Sequence, residues 1–321
     1  ATGTIYAVAL INGSGYHLFA LNTANGQVKW SITVNESGLD YAYQEQRGSL
    51  ALANGLVYVS FGGYSFVCAG IPHGWIVAYS SSGNGTHYSF EVPSSGEADI
   101  WEPQGLSVDS AGFIYAVTGN SAATSAAPFD YGVSVLKLTP DLSLVSYFAP
   151  TNYLTLDEND QDLDTTGATL LPGSLIFSVG KEGVGYLLNS SDLGGVGGQL
   201  ASLSVCTSGA WGGTAYASGV VYVPCADGLY AVSVHAGAQP SLTPLWNVTG
   251  FFAGPPIVAG GAVWTFDIFN GTLFALNPQT GAVMTKVSVL PIGSVPHFET
   301  PSVADGLLLF AGNDTVYALD P

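Results

Sequence analysis

Positive charge is scarce in this chain. Five of its 321 residues are Lys or Arg, against 23 Asp plus Glu, and the formal net charge is −18. Arg47 is the single arginine. Nucleic acid is therefore excluded as an expected partner, because neutralising phosphates needs a basic surface. An anionic membrane face is excluded on the same ground. No uninterrupted apolar run approaches the roughly 18 residues of a membrane-crossing helix. The glycine run Gly194–Gly198 is followed by no Lys-Ser/Thr and opens no helix, so it reads as a flexible turn rather than a phosphate cradle. The five histidines show no metal-ligand spacing, and no Ser-His-Asp set or hydrolytic carboxylate pair can be assigned from spacing. Cysteines number three, with no adjacent pair and no Cys-x-x-Cys-His.

Turn formers and strand formers are abundant instead. Hydrophobic residues make up 47%, with 42 glycines and 17 prolines. Without a collagen period, that composition means many turns between short strands. Only 9% of residues are charged, so the surface relies on Ser, Thr, Asn, Gly and Tyr. Two explanations stand for this balance: an acidic medium, where few lysines limit positive self-repulsion, or a glycan-covered surface. Asn-x-Ser/Thr occurs at Asn12, Asn35, Asn84, Asn189, Asn247, Asn270 and Asn313, half of the fourteen asparagines. Several sit in Asn-Gly turns, so N-linked glycans on an extracellular protein are expected. Cys206 and Cys225 flank a hairpin expected over 211–223, and a disulfide there would staple one repeat in an oxidising compartment. Cys68 is left over and reads as a buried small hydrophobe. The chain begins at Ala1 with neither Met nor signal peptide, which suggests a processed chain or a fragment.

One unit recurs along the whole length. A short strand, a turn, a β-rich strand, a Gly turn and an aromatic-Ala-Leu strand repeat seven times, most clearly at Val263–Val287, Ile5–Trp30 and Val221–Val234. The third strands end near Leu21, Tyr79, Leu138, Leu188, Val232, Leu276 and Leu319. Alternation within them has a period of two, and no long helical period appears. A lone unit of this size cannot bury both faces of its sheet, so the units must stack radially. The expected fold is all-β: one β-propeller over residues 1–321, of about seven four-stranded blades, or eight in an intact ring. The first repeat lacks its first strand and the last its fourth.

Leu18-Phe-Ala-Leu-Asn-Thr-Ala-Asn-Gly-Gln-Val-Lys-Trp30 and Leu273-Phe-Ala-Leu-Asn-Pro-Gln-Thr-Gly281 resemble the pyrroloquinoline quinone (PQQ) repeat. The stretches 162–173, 180–188 and 193–199 look like a secreted branch of that PQQ-binding-like propeller family. The family includes quinoprotein alcohol dehydrogenases and non-enzymatic scaffolds such as the propeller lipoprotein of outer-membrane assembly. For the enzymes, the resemblance implies a vicinal cysteine pair, an active-site arginine and a calcium ion held by Glu, Asn and Asp. The cysteine pair is missing here. PQQ carries several carboxylates, for which Arg47 and Lys181 are the plausible partners.

In a propeller the loops leading into each innermost strand ring the channel. Here these are 44–48, 99–105, 160–167, 208–213 and 296–300. They carry Arg47, Trp101, Gln104, Asp162, Asp164, Trp211 and His297, and convergent polar groups at a channel mouth are the default ligand site. Tryptophan and arginine there can stack on a planar or sugar-like ligand, or can simply fill gaps between blades and close the channel. The acidic run 157–164 places Asp160, Asp162 and Asp164 on one face if extended. That pattern suits a calcium ion, or a solvated loop whose aspartates cap amides. Three functional expectations follow. The leading one is a non-catalytic extracellular scaffold or interaction module that binds other proteins or copies of itself and needs no cofactor. The others are a PQQ- and calcium-dependent dehydrogenase of alcohols or sugars, and a carbohydrate- or peptide-binding module.

Overall fold

A computed structural model describes residues 3–63, 72–291 and 295–320; Cys68 lies outside them. The chain is an all-β propeller of seven blades. The first sheet pairs Thr4–Ile11, Gly15–Asn22 and Val28–Thr33. In the second, Gln44–Glu45 and Ala51–Ala53 both pair with Leu56–Gly63, followed by Trp75–Ser80 and His87–Glu91. The third contains Ser107–Val108, Ile114–Val117, Val135–Leu138 and Leu144–Ala149. The fourth contains Thr169–Leu171, Leu175–Val179, Val184–Asn189 and Ala201–Ser204. Ala215–Ala217, Val220–Cys225, Gly228–His235 and Ser241–Thr249 form the fifth; Ile257–Ala259, Ala262–Asp267, Thr272–Leu276 and Val283–Ser288 form the sixth. The seventh is Ser302–Ala304, Leu307–Gly312 and Thr315–Leu319.

By comparison with the middle sheets, the first lacks an innermost strand and the seventh an outermost one, as the repeat spacing indicated. Two local readings change. Residues 194–198 are not merely a turn: Gly195–Val196 adds a fifth, parallel strand to the outer edge of the third sheet. A short helix, Tyr153–Glu158, precedes the acidic run, with Tyr153 and Leu156 buried.

Six apolar clusters hold the sheets together, each spanning two consecutive sheets. Seven sheets therefore share six cores. Among the described residues, no cluster joins the seventh sheet to the first. Their outward faces stay uncovered among the described residues: Ile5 is 56% exposed and Val316 74%, at strand positions that the middle sheets bury.

A repeated hydrogen bond reinforces the cores. In the second strand of four sheets a tyrosine faces the next sheet and donates to a carbonyl in that sheet's outer turn. Tyr6 reaches Ser81 O (2.8 Å), Tyr58 reaches Pro140 O (2.9 Å), Tyr115 reaches Ser190 O (3.2 Å) and Tyr222 reaches Pro278 O (3.2 Å). Each acceptor lies two residues beyond the third strand's recurring Leu/Tyr position, so register places all four alike. In the first and fifth sheets a tryptophan joins the tyrosine. Trp246 Nε1 also donates to Pro278 O at 2.9 Å. Gly281, at φ 70°, lets the Trp246 ring approach, since a Cβ there would lie 2.7 Å from it.

The fourth sheet has Phe177 at the tyrosine position, opposite Leu187. There the Cys206–Cys225 disulfide forms the cross-link. The pairing matches the sequence expectation, but what it joins does not. Cys206 follows the outer strand of the fourth sheet and Cys225 ends the second strand of the fifth, so the bond ties two blades rather than stapling one repeat. The hairpin between the two cysteines is present, with Ala215–Ala217 on Val220–Cys225, but Cys206 lies before it, beside the fourth sheet's Ala201–Ser204.

A neutral hydrogen bond of this kind contributes about 1 kcal/mol. Tyr58→Phe should lower the unfolding free energy from urea titration by roughly that amount. Tyr222→Phe should cost less, because Trp246 still satisfies Pro278. Equal, negligible effects in both would show that the hydroxyls do not fasten the sheets.

Candidate functional site

Loops from five sheets converge at one channel mouth around a cavity of about 430 Å3. Its walls include Arg47, Trp101, Asp160, Asp162, Asp164, Lys181, Trp211 and Phe298. Sequence reasoning had placed these loops together, and the structure brings Arg47, Trp101, Lys181 and Trp211 into one lining. His297 joins at the rim, its ring 5.7 Å from Trp211 and stacked on Phe298 at 4.4 Å. Gln104 does not line the cavity. Its amide donates to Ala168 O (3.2 Å) and accepts from Thr214 N (3.3 Å), bracing loops of neighbouring sheets. Phe298, a further aromatic wall of the cavity, was missed, although it sits inside the loop singled out at 296–300.

Two cation-on-indole pairs dominate the site. The Arg47 guanidinium lies 3.9 Å from the centre of the Trp101 ring and its Nε donates to Glu45 at 3.1 Å. The Lys181 ammonium lies 5.6 Å from the Trp211 ring, 2.8 Å from Asp160 Oδ1 and 2.5 Å from Asp162 Oδ2. Backbone ties hold both shelves. Trp101 N donates to Asp164 Oδ2 (2.9 Å), and Trp211 N donates to Pro224 O (2.9 Å), beside the disulfide. Lys181 N donates to Asp162 O at 2.9 Å, so that pair is clamped by main chain and side chain.

Below the mouth lies an acidic interior. Asp164 is 1% exposed and Glu102 fully buried. Burial pushes the Asp164 carboxyl well up, and the Asp162 charge adds to it. Burial does the same to Glu102, against the pull of backbone amides of Val117 and Ala168. Neither Glu102 oxygen has a well-formed hydrogen bond. Burial also lifts Asp99 to about 6 and Asp157 to about 6, and it raises Glu97, which Asp162 and Asp160 raise further. At Lys181 burial lowers the ammonium, but Asp162 and Asp160 outweigh it and the net shift is upward.

No protein-family model and no curated protein sequence matches this chain. Solved structures do. A quinohemoprotein alcohol dehydrogenase of Pseudomonas putida HK5 superimposes with a TM-score of 0.70 at 16% identity, over 96% of this chain and 60% of that one. A europium-containing methanol dehydrogenase gives 0.69 at 14%, over 97% and 72%. BamB from Moraxella catarrhalis gives 0.61 at 15%, over 98% and 78%. The fold is the PQQ-like β-propeller. The chain spans about 60% of the first dehydrogenase's length.

That fold raises the question of PQQ and its metal, and the side chains present do not suit them. Among the described residues, no three His, Cys, Asp or Glu side chains converge as metal ligands. The expected calcium ligands are otherwise engaged. Asp160 and Asp162 share the Lys181 ammonium, Asp162 Oδ1 takes the Asn120 amide at 2.8 Å, and Asp164 takes the Trp101 amide. A lysine stands where the acidic run would hold a cation. Asn120 Oδ1 is a nearby buried oxygen without a donor, but one neutral oxygen is far short of the six to eight that calcium takes. Both cations that PQQ carboxylates would need are already paired.

The raised carboxyls set a pH dependence. A carboxyl whose folded pKa exceeds its unfolded value binds protons more tightly in the folded state. Its stabilising contribution is complete below the unfolded pKa and is lost as pH rises through the folded one. For Asp99 and Asp157 the window runs from about 4 to about 6. His297, lowered by burial and by Arg47, acts in the opposite sense, but it is one group against several. The melting temperature should therefore be higher at pH 4.5 than at pH 7, and Asp99→Asn should flatten the difference. A protein that melts lower at pH 4.5 would contradict the folded-state protonation inferred here.

Proposed function

We propose that this chain is a non-catalytic extracellular β-propeller that binds a partner at the channel mouth, using the two cation-capped indoles as its recognition surface. One observation carries this reading: the charged side chains that line the mouth are already paired with one another or with backbone amides. Such a surface offers flat aromatic faces and fixed polar edges. It lacks an uncommitted charge to drive a reaction. Aromatic faces with a polar rim suit a sugar or peptide face, because stacking and edge hydrogen bonds act together.

The extracellular placement is supported by the disulfide and by the sequons. Asn12, Asn35, Asn84, Asn247, Asn270 and Asn313 are exposed, while Asn189 is half-buried. The uncovered faces at Ile5 and Val316 add apolar surface suited to assembly with copies of this chain or with another protein. Peptide N-glycosidase treatment of the protein from its native source should lower its mass by several glycans. An unchanged mass would remove the glycoprotein reading.

The alternative, a quinoprotein dehydrogenase of alcohols or sugars, is favoured by the likeness of the fold. Melting with and without PQQ plus calcium separates the two. A ligand at a hundredfold excess over Kd stabilises the folded state by about 2.7 kcal/mol. No shift is expected. An upward shift that requires both additives, with turnover lost in Arg47→Ala, would overturn the proposal. Under the proposal, binding to an oligosaccharide or peptide panel should weaken at least tenfold in Trp101→Ala and in Trp211→Ala, and unchanged binding in both would remove the mouth as the recognition surface.

A further inference from the structure

Lys137 is the buried one of the five cations, with 7% of its surface exposed. It occupies the repeat position filled by Ala20, Ala78, Ala231, Ala275 and Ala318 in other sheets. Its cross-strand neighbour on the outer strand is Ser146, where the first and fifth sheets place Trp30 and Trp246. In the fifth sheet tyrosine and tryptophan share one carbonyl, Pro278 O. In the third, Lys137 Nζ reaches Ser190 O at 2.7 Å, beside the Tyr115 hydroxyl, whose one proton is shared between that carbonyl (3.2 Å) and Asp109 Oδ2 (2.9 Å). The lysine has therefore replaced an indole as second donor in the fastening between blades. A neutral indole performs that task elsewhere in this molecule, so the fastening does not explain the charge.

A buried ammonium is costly unless it is paired. No described carboxylate lies within ion-pair distance of Lys137, whereas Arg47 and Lys181 each have one. Asp109, on the same wall, is occupied: Oδ1 takes the amides of Ala111 (2.9 Å) and Phe113 (3.0 Å), and Oδ2 faces the Tyr115 hydroxyl (2.9 Å). An ammonium carries three N–H donors. Ser190 O takes one, and the charge sits 4.2 Å from the Phe113 ring. Beside it opens a cavity of about 510 Å3, separate from the channel mouth. Serines 110, 174 and 191 line it with hydroxyls that bond to nothing else described, and Leu170 and Leu175 supply an apolar side.

We propose that this cavity between the third and fourth sheets binds a small organic anion, with its acidic group on Lys137 and the serine hydroxyls and its body against Phe113 and Leu170. The cavity exceeds a bare oxyanion in volume, and its apolar side favours a carboxylate or a sulfate or phosphate ester with a compact carbon body. The site is independent of the channel mouth, so failure of the reading given there leaves it intact.

Calorimetric titration of the full chain with benzoate, phenyl sulfate, phenyl phosphate, inorganic sulfate and benzyl alcohol tests the inference. At least one aromatic anion should bind more tightly than sulfate, benzyl alcohol should not bind, and which anion binds tells carboxylate from ester. Lys137→Met should weaken that binding at least tenfold. Lys137→Ala combined with Ser146→Trp rebuilds the tyrosine–tryptophan arrangement of the fifth sheet, so it keeps the blades fastened while removing the charge. It should lose binding too, and it decides the matter if Lys137→Met fails to fold. No binding of any anion to the wild type, or equal binding to the double variant, would overturn the proposal.

Discussion

A hydroxyl on one blade bonded to a carbonyl on the next is the constraint on which the rest of this propeller depends. Apolar packing between sheets is strong but non-directional, and it would tolerate sliding of one sheet across another. The tyrosine-to-turn hydrogen bond has direction and a fixed acceptor. In four sheets it locks the second strand against a specific carbonyl in the neighbouring sheet. Because the acceptor is the outer turn, the bond sets the angle between sheets at the rim. That angle in turn fixes how closely the inner loops meet at the axis. Where Phe177 cannot donate, a disulfide holds the same boundary. The cross-link lies next to Trp211, so the covalent tie and the mouth are built from one stretch of chain.

The mouth shows the consequence. Its two shelves come from loops that have no sequence relation to each other, yet each cation finds a ring and a carboxylate. Arg47 finds Glu45 two residues away. Lys181 finds Asp160 and Asp162 some twenty residues away, brought near because the fourth sheet's inner loop folds back on its own hairpin. In a chain with 23 carboxylates and five cations, most acids must either face water or remain protonated. Asp164 and Glu102 are shut away from water, and burial holds both carboxyls well above the usual carboxylate range.

Strand positions, repeat number and the missing strands of the end sheets were legible because a period of two and regular glycine turns are local signals. The loops that meet at the channel were legible because repeat topology assigns them. What failed was partnership at a distance. The recurring Ile-Tyr or Val-Tyr of the second strand was visible in four repeats, but its acceptor lies 56 to 82 residues away and is a backbone carbonyl, which leaves no residue-type signature. Asp160, Asp162 and Asp164 looked like a shared ion site because their alternation was correct, while Lys181, arriving from the next hairpin, had been weighed only as a ligand for PQQ. Gln104 was expected to line the mouth because its loop does, although its side chain turns back to Ala168 and Thr214. Cys206 shows a subtler limit: a disulfide can be paired correctly from spacing while the boundary it crosses stays hidden.

The end sheets show how far the fastening reaches. At the tyrosine position the seventh sheet carries Leu309, opposite Ala318, so it has no hydroxyl to offer a following sheet. The first sheet's corresponding acceptor is the carbonyl of Thr23, two residues past Leu21, and no described donor reaches it. The seventh sheet therefore has no counterpart of the bond that joins four of the other neighbouring pairs. Val316 and Leu307 on one side and Ile5 and Ile11 on the other are apolar, as every inter-sheet face here is, but they lack the directional contact that turns apolar attraction into a fixed angle. Burial alone would favour closure of the ring. The sixth and seventh sheets share a core without such a bond, since Trp264 at the tyrosine position donates within its own sheet to Ala259 O (3.1 Å), so the hydrogen bond reinforces neighbours that apolar packing already joins.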